Sequence, residues 1–379
     1  MVRRLLLLNG LAILGVILFH SSGWGFVAMF AWQDRYLPIT GPDYNPMGSP
    51  AYYTLRIIEQ LIIFCLPAFM FVSGYFIAFA TPRHQSTVGW NVVVARIKNL
   101  LIPYFLWSIA LLFLLFLEGK TFSIVEYLKL LLTGGTNPAY YYVILLCQLY
   151  LISPFLVPLA KTRWMLLLIM TGLIQLITVQ LFQYPVLVGI THPSAELLGQ
   201  LVPQWFFSSR IFWFSFGIVT GFHLQTVKEW AVRFKWVLLG VLVFSFLLGI
   251  PEWELYVHMS GLDWLNHRET LIDNIYATVL LLSFIAFDKQ QIPLSKQIGD
   301  LGTKSFGIYI VHSPVMEYTA RAIYHLAPWV LTHQVLFLPI IILMGLGVPL
   351  LLMEVVKRLM TLKMVQHSPA PNVYPYLFG

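Results

Sequence analysis

Long apolar stretches recur along the chain, and short segments rich in charge, proline or glycine separate them. A helix needs about 20 largely apolar residues to cross the ~30 Å hydrocarbon core of a bilayer. The pattern therefore predicts ten membrane-spanning helices, and the expected fold class is an all-α polytopic membrane protein. The predicted spans lie near residues 5–31, 57–79, 99–117, 139–159, 164–183, 204–224, 236–250, 270–287, 305–324 and 334–356.

Composition excludes the main classes of water-soluble protein. Hydrophobic residues make up 59% of the 379 residues and charged residues only 10%, whereas a soluble domain carries about 25% charged residues. So few charges do not cover the surface of a soluble globule of this length. The 16% aromatic content excludes a disordered chain, and two cysteines exclude a disulfide-rich secreted scaffold.

The placement of lysine and arginine predicts how the helices are oriented. Cytoplasmic loops collect these residues, and ten helices with both termini in the cytoplasm place most of the 23 Lys and Arg residues on that side. The net charge of +7 is therefore a topology signal, and its dispersal over short loops argues against nucleic-acid binding. Residues 1–363 are predicted as the transmembrane domain and residues 364–379 as a short cytoplasmic tail.

Several ionisable residues fall inside predicted spans, where they are costly and usually face a bundle interior or a wet cavity. They concentrate toward the outer side of the membrane, so the pattern predicts a polar cavity that opens outward. The candidates for catalysis are His20, Glu59 and His312, and those for substrate contact are Arg210, Asp273 and Glu317. Structural roles stay open for some of them, because residues near helix ends can snorkel to the interface. Glu317 can also form an ion pair with Arg321, four residues later on the same helix face.

The cytoplasmic side offers a second kind of chemistry. Arg96 and Lys98 precede Pro103 at the start of the third span, and Arg4 precedes the first. Cationic side chains of this kind bind phosphate groups, so they are candidates for holding a phosphate-bearing donor. Ordinary positive-inside topology explains them equally well. No metal site is predicted.

Four stretches together resemble the membrane acyltransferase family called acyltransferase type 3, the ten-helix O-acyltransferases that decorate glycans. The order of the stretches and the ten-span topology agree with that family, so the resemblance covers nearly the whole chain. The stretches are Asn-Gly-Leu-Ala at 9–12 with His20, Ser-Gly-Tyr at 73–75 within 66–75, Arg-Ile-Lys at 96–98 leading to Pro103-Tyr104 and Trp107, and Tyr309-x-x-His312 within 307–314.

The resemblance implies transfer of an acyl group from cytoplasmic acetyl-CoA, or another short acyl-CoA, to a hydroxyl of a surface or periplasmic glycan or lipid-linked sugar. It also implies a multi-pass location in the cell (cytoplasmic) membrane. His20 would act as general base on the hydroxyl, and a carboxylate such as Glu59 would orient its imidazole. Ser73 is a candidate for carrying a covalent acyl group, but a Ser-Gly pair in a packed helix more often marks close helix–helix contact.

One departure from the family pattern bears on activity. The family commonly carries an arginine eleven residues before the first-helix histidine, and here that position is Asn9. If that arginine holds the acyl donor, then Arg4 or the pair Arg96 and Lys98 must replace it, or this chain is an inactive member. A third alternative is a secondary transporter that uses the intramembrane charges. The halves of the chain show no internal repeat of the kind common in transporters, which disfavours that alternative.

Overall fold

The computed structural model describes residues 2–35, 46–190, 192–266, 268–361 and 372–379, and every regular element in them is helical. Each of the ten predicted spans overlaps a helix. The helices are α1 (Val2–Ala31), α2 (Pro50–Ala80), α3 (Trp90–Leu117), α4 (Tyr141–Thr162), α5 (Trp164–Leu187), α6 (Ile211–Phe222), α7 (Lys235–Ser260), α8 (Leu271–Ala286), α9 (Ser305–Leu326) and α10 (Gln334–Thr361).

Seven of these helices in the described residues, α1 to α5, α7 and α10, are long and apolar enough to cross a membrane. Helices α6 and α8 are apolar but shorter, and α9 is long but carries charged residues in its C-terminal half. Large apolar side chains on the outside of the bundle are well exposed, among them Phe79, Phe113, Phe155 and Leu343. A soluble protein does not expose so much apolar surface. The prediction of an all-helical polytopic membrane protein is confirmed.

Helix α2 is interrupted at Ile63 and Phe64, between Pro50–Ile62 and Cys65–Ala80. Pro67 explains the break, because it has no backbone N–H to donate to Ile63, four residues earlier, and its ring clashes with that carbonyl. The first half begins earlier than the predicted residue 57, at a Ser49 cap whose hydroxyl accepts a hydrogen bond from the Tyr52 N–H. The break therefore places Cys65 and Leu66 on the wall of an internal cavity.

The predicted span at 204–224 is wrong in its first part, since α6 begins only at Ile211. Before it, the backbone is irregular and passes through a 3₁₀ turn at Phe207–Ser209. Gln148 of α4 bonds this segment twice, donating to the Trp205 carbonyl at 2.7 Å and accepting from the Phe207 N–H at 3.2 Å. Irregular backbone at membrane depth is tolerated where protein groups satisfy it or where it lines a cavity. Arg210 is therefore a residue before the helix, and not one six residues inside it.

Helix α7 is longer than the predicted span at 236–250, because it continues through Pro251 to Ser260. The added turns pack Trp253 and Val257 against Val179 and Tyr184 of α5. Residues 251–260, which fall between two predicted spans, are therefore helical and pack against the bundle.

Close packing joins α2 to α6. A Cβ on Gly74 would overlap the Phe214 carbonyl, and one on Gly217 would overlap the Phe71 carbonyl. The two backbones touch at these glycines, which is how small residues let membrane helices approach each other. Helix α1 meets the short helix Ser295–Thr303 in the same way, with Gly10 against the carbonyl of Ile298.

Both ends of the described chain lie at one end of the bundle. The start of α1 packs on Ser295–Thr303, which directly precedes α9, and Gly307 at the start of α9 contacts Met353 near the end of α10. The C-terminal segment 364–379 was predicted as a tail, and its residues 364–371 lie outside the described part of the chain. Its last part forms the helix Tyr374–Phe378, which docks on the bundle with Phe378 buried and the Leu377 carbonyl bonded to Trp107 Nε1 at 3.0 Å.

Candidate active site

Two histidines from distant parts of the sequence meet inside the bundle. The ring centroids of His20 on α1 and His312 on α9 are 5.1 Å apart. His312 is fully buried, and its Nδ1 lies 2.6 Å from the Tyr309 carbonyl oxygen, one helical turn earlier. Because a carbonyl oxygen only accepts, Nδ1 carries the proton and Nε2 keeps a lone pair. That Nε2 is buried and has no hydrogen-bond partner among the described residues.

Two hydrogen bonds near Pro314 hold the His312 turn of α9 in place. Pro314 has no N–H, so the carbonyl of Ile310, four residues earlier, loses its helical partner. The hydroxyl of Tyr140 donates to that carbonyl at 2.6 Å, and the Tyr309 hydroxyl donates in return to the carbonyl of Ala139. These two bonds tie the start of α4 to the histidine turn of α9. Tyr309 therefore positions the imidazole of His312 in two ways. Its carbonyl accepts a hydrogen bond from Nδ1, and its hydroxyl attaches this turn of α9 to α4.

A cavity of about 320 Å³ lies beside the histidine pair. This volume is at the small end of the ~300–1,000 Å³ typical of small-molecule pockets. Its apolar wall comes from α1 and α2, and includes Phe19, Cys65 and Leu66. Its polar wall consists of His20, Tyr141, Tyr142, Gln204, Arg210, Asn266, Arg268, Glu269 and Tyr309. A cavity with a polar wall thus exists, and it lies where α1 approaches the N-terminal ends of α4, α6 and α8. That it opens to the outer side stays a prediction.

A buried ion pair stands in the polar wall. Arg210 Nε lies 2.9 Å from Glu269 Oε2, and both side chains are almost fully buried. Arg210 also donates to the Ser209 carbonyl at 2.8 Å. Arg268, next in sequence to Glu269, lines the same cavity, and burial lowers the pKa of its guanidinium. Arg210 was a candidate from the sequence, whereas Arg268 and Glu269 were not, because they fall between two predicted spans. The adjacent opposite charges before the start of α8 were the available signal.

Glu59 is buried in an ion pair with Arg56, at 2.9 Å, on the same turn of α2. Arg56 also lies 3.3 Å from Glu254 and stacks over the ring of Phe26. Glu59 is not among the described residues that line the cavity. The structure therefore gives it a charge-pairing role in the core, and the catalytic role suggested for it stays a prediction.

The other two predicted substrate contacts have structural partners. Asp273 caps α8, where Oδ2 accepts from the Thr270 N–H at 3.0 Å and Oδ1 accepts from Gln60 at 2.7 Å. Glu317 lies 3.7 Å from Arg321, the ion pair that its i,i+4 spacing suggested. Arg321 binds Glu118 more closely, at 2.8 Å, and this contact holds the pKa of the Glu118 carboxyl below its usual range. Neither Asp273 nor Glu317 is among the described cavity-lining residues.

The candidates for donor binding lie at the other end of the bundle. Arg4 donates to the carbonyls of Phe284 and Phe287, each at 3.1 Å, and so closes the C-terminal end of α8. Arg96 is half-buried with its guanidinium 6.0 Å from the centre of the Phe76 ring, and Lys98 is exposed. Of the three, Arg4 is occupied by backbone carbonyls, whereas neither Arg96 nor Lys98 forms an ion pair with a described carboxylate.

Ser73 precedes Gly74, whose backbone touches α6 at Phe214. It is also close to the hydroxyls of Tyr142 and Tyr150 on α4. Gly74 therefore serves helix packing, and the choice between packing and a covalent acyl group for Ser73 stays a prediction. Asn9, which stands where the family commonly has arginine, keeps its Oδ1 buried and without a hydrogen-bond partner among the described residues.

Comparison with known proteins gives a family and no individual relative. Residues 4–354 match the model of a family described as "Acyltransferase domain", the acyltransferase type 3 family. No curated protein matches the chain, and no solved structure matches it either. The family match extends from the start of α1 to near the end of α10, so it includes both histidines and the whole cavity. The chain therefore belongs to the acyltransferase type 3 family and is a multi-pass membrane acyltransferase.

Proposed function

We propose that this protein moves a short acyl group, such as acetyl, from cytoplasmic acyl-CoA to a hydroxyl of a surface or periplasmic glycan or lipid-linked sugar. The cytoplasmic membrane is its proposed location, with both termini in the cytoplasm. The observation that carries the proposal is the histidine pair at the cavity wall. His20 faces the space where a hydroxyl can enter, and His312 stands 5.1 Å behind it with its tautomer fixed.

The chemistry needs a base because a sugar hydroxyl is a weak nucleophile. In the proposed step the hydroxyl oxygen forms a bond to the thioester carbonyl carbon, the carbon–sulfur bond breaks, and His20 accepts the hydroxyl proton. His20 then returns that proton to the departing thiolate, so the histidine ends as it began. General base catalysis of this kind contributes typically ~10²–10⁴-fold to a rate.

Arg96 and Lys98 are the proposed holders of the donor's phosphates. They lie in the first turns of α3, at the end of the bundle where Arg4 also lies. Neither is paired with a described carboxylate, so their charges are available, and an arginine fork matches phosphate oxygens well. Arg4 is a weaker candidate because helix α8 already uses its donors.

Mass spectrometry of cell-surface glycans tests the proposed function. Cells with the full chain are expected to carry a glycan with one added acyl mass, and cells without it are expected to lack that mass. Feeding isotope-labelled acetate checks that acetyl is the group transferred. Identical glycan profiles in the two strains, with the protein present in the membrane, would contradict the proposal.

His312 is proposed as a positioning residue for His20. Replacing it by alanine removes the fixed imidazole behind His20, and a misplaced catalytic group costs on the order of 10²-fold in rate. We therefore expect His312→Ala to lower kcat strongly with little change in KM for the acyl donor. The pH profile of kcat is expected to shift as well, because the neighbour of the base has changed.

Two further variants separate positioning from simple packing. His312→Gln keeps an amide that can donate to the Tyr309 carbonyl and is expected to retain more activity than alanine. His333→Ala, an exposed histidine before α10, is the matched control and should behave as wild type. A His312→Ala protein with wild-type kcat and an unchanged pH profile would rule out the positioning role.

A further inference from the structure

The cavity beside His20 contains more positive than negative charge. Its described lining includes two arginines, Arg210 and Arg268, and one carboxylate, Glu269. Glu269 forms an ion pair with Arg210, with 2.9 Å between Oε2 and Nε. Arg268 therefore faces the cavity without a carboxylate of its own, and its Nε is buried with no hydrogen-bond partner among the described residues.

Arg268 is half-buried as a residue, and a cation partly withdrawn from water without a counter-charge is costly, so the cavity favours an anion. The surrounding wall supports a sugar as the carrier of that anion. Gln204 and Asn266 offer amide groups, and Tyr141 and Tyr142 offer aromatic surface and hydroxyls. A cavity of about 320 Å³ has room for roughly one ring and its substituents rather than for a long oligosaccharide.

Arg268 lies far from the proposed donor site. Arg268 lies directly before α8, whereas Arg4 binds carbonyls at the opposite end of that helix. A helix of 16 residues is about 24 Å long at ~1.5 Å per residue. Phosphates bound at the proposed donor site of Arg96 and Lys98, at the end of the bundle where Arg4 lies, are therefore too far away to reach Arg268. The unpaired charge at Arg268 is therefore better matched to an acceptor than to the phosphates of the donor.

We propose that this cavity selects an acidic acceptor, a sugar that bears a carboxylate or a phosphate, and that Arg268 binds the anionic group while a hydroxyl of the same sugar faces His20. The proposal rests on the proposed acyl transfer and names its substrate class. The planar guanidinium pairs with either anion through two parallel hydrogen bonds. A neutral sugar leaves Arg268 unpaired and binds less well.

Direct binding tests the proposal without requiring turnover. The full chain in lipid nanodiscs is titrated with glucuronate, glucose 1-phosphate or glucose, and the thermal midpoint is followed. We expect the two acidic sugars to raise the midpoint and glucose to have little effect. The relative response to glucuronate and glucose 1-phosphate tells whether a carboxylate or a phosphate is the preferred anion.

Variants then assign the effect to Arg268. A charged hydrogen bond contributes enough that its loss weakens binding about tenfold or more, so Arg268→Gln should weaken glucuronate binding by at least that factor. Arg268→Lys keeps the charge and should recover part of the affinity. Arg35→Gln, at an exposed arginine on the same side of the bundle, is the matched control. Acetyl-CoA binding should be equal in all four proteins.

The outcomes separate this proposal from the proposed function. Equal weakening of acidic and neutral sugars by Arg268→Gln, or no preference for acidic sugars in wild type, overturns the acidic-acceptor proposal. A loss of acetyl-CoA binding in Arg268→Gln overturns it too, because the anion then belongs to the donor. Selective binding of acidic sugars without acyl transfer to any of them supports the anion site and counts against the proposed function instead.

Discussion

Replacing His20 by alanine is expected to abolish acyl transfer while leaving the protein in the membrane. The imidazole lines the cavity and is the only described ionisable side chain of α1 that does so. Loss of a general base lowers a rate by ~10²–10⁴-fold, which brings surface acylation below detection in most assays. Mass spectrometry of glycans from cells that express equal amounts of wild type and variant measures the effect.

Chemical rescue sharpens the His20 experiment. The alanine substitution leaves space in a cavity that already exists, so added imidazole should restore part of the activity. His325→Ala, at an exposed histidine on α9, is the matched control and should acylate normally. Unchanged acylation by His20→Ala would remove the histidine from the mechanism, and a simultaneous loss in Ser73→Ala would favour a covalent acyl-serine in its place.

Replacing Glu59 by glutamine is expected to destabilise the fold more than it affects chemistry. Arg56 and Glu59 are 3% and 1% exposed, and the substitution leaves the arginine charge buried. Removing one partner of a buried pair costs about 3–5 kcal/mol, and Glu254, at 3.3 Å from Arg56, offsets part of that cost. A thermal midpoint several degrees below wild type in detergent is the expected result.

Two comparisons test the origin of that loss. The double variant Arg56→Met with Glu59→Met removes both charges and should be more stable than the glutamine single variant, because two apolar groups replace a buried pair at little cost. Glu317→Gln breaks an exposed pair and should change the midpoint little. A Glu59→Gln protein with wild-type stability and no activity would instead return Glu59 to the catalytic role suggested by the sequence.

The sequence predicted the spans well and their ends less well. Apolar length decides whether a segment enters a bilayer, so the ten segments and the all-helical class followed directly from the pattern. The ends depend on local partners that the pattern does not contain. Gln148 stabilises irregular backbone before α6, and Trp253 finds a hydrophobic partner that extends α7. Neither partner lies near its target in sequence.

The residues of the candidate site were likewise predicted only in part. His20, His312 and Arg210 were chosen because polar residues in apolar spans are costly, and the structure places His20 and Arg210 on one cavity and His312 directly behind His20. Glu59, Asp273 and Glu317 met the same criterion, yet each has a protein partner that accounts for it. Cost alone marks a polar residue as unusual. It does not say whether a ligand or another side chain compensates it.

By itself, the sequence determined that this protein folds in a membrane, that its regular elements are helices, and which small set of polar residues needed an explanation. Those follow from composition and from the period and length of apolar runs, which are local properties. Only the tertiary structure decided which of those residues share a cavity, because α1, α4, α6, α8 and α9 are distant in sequence and meet through packing. It also decided that Arg268 pairs with no carboxylate among the described residues, since pairing depends on distances that no sequence pattern contains.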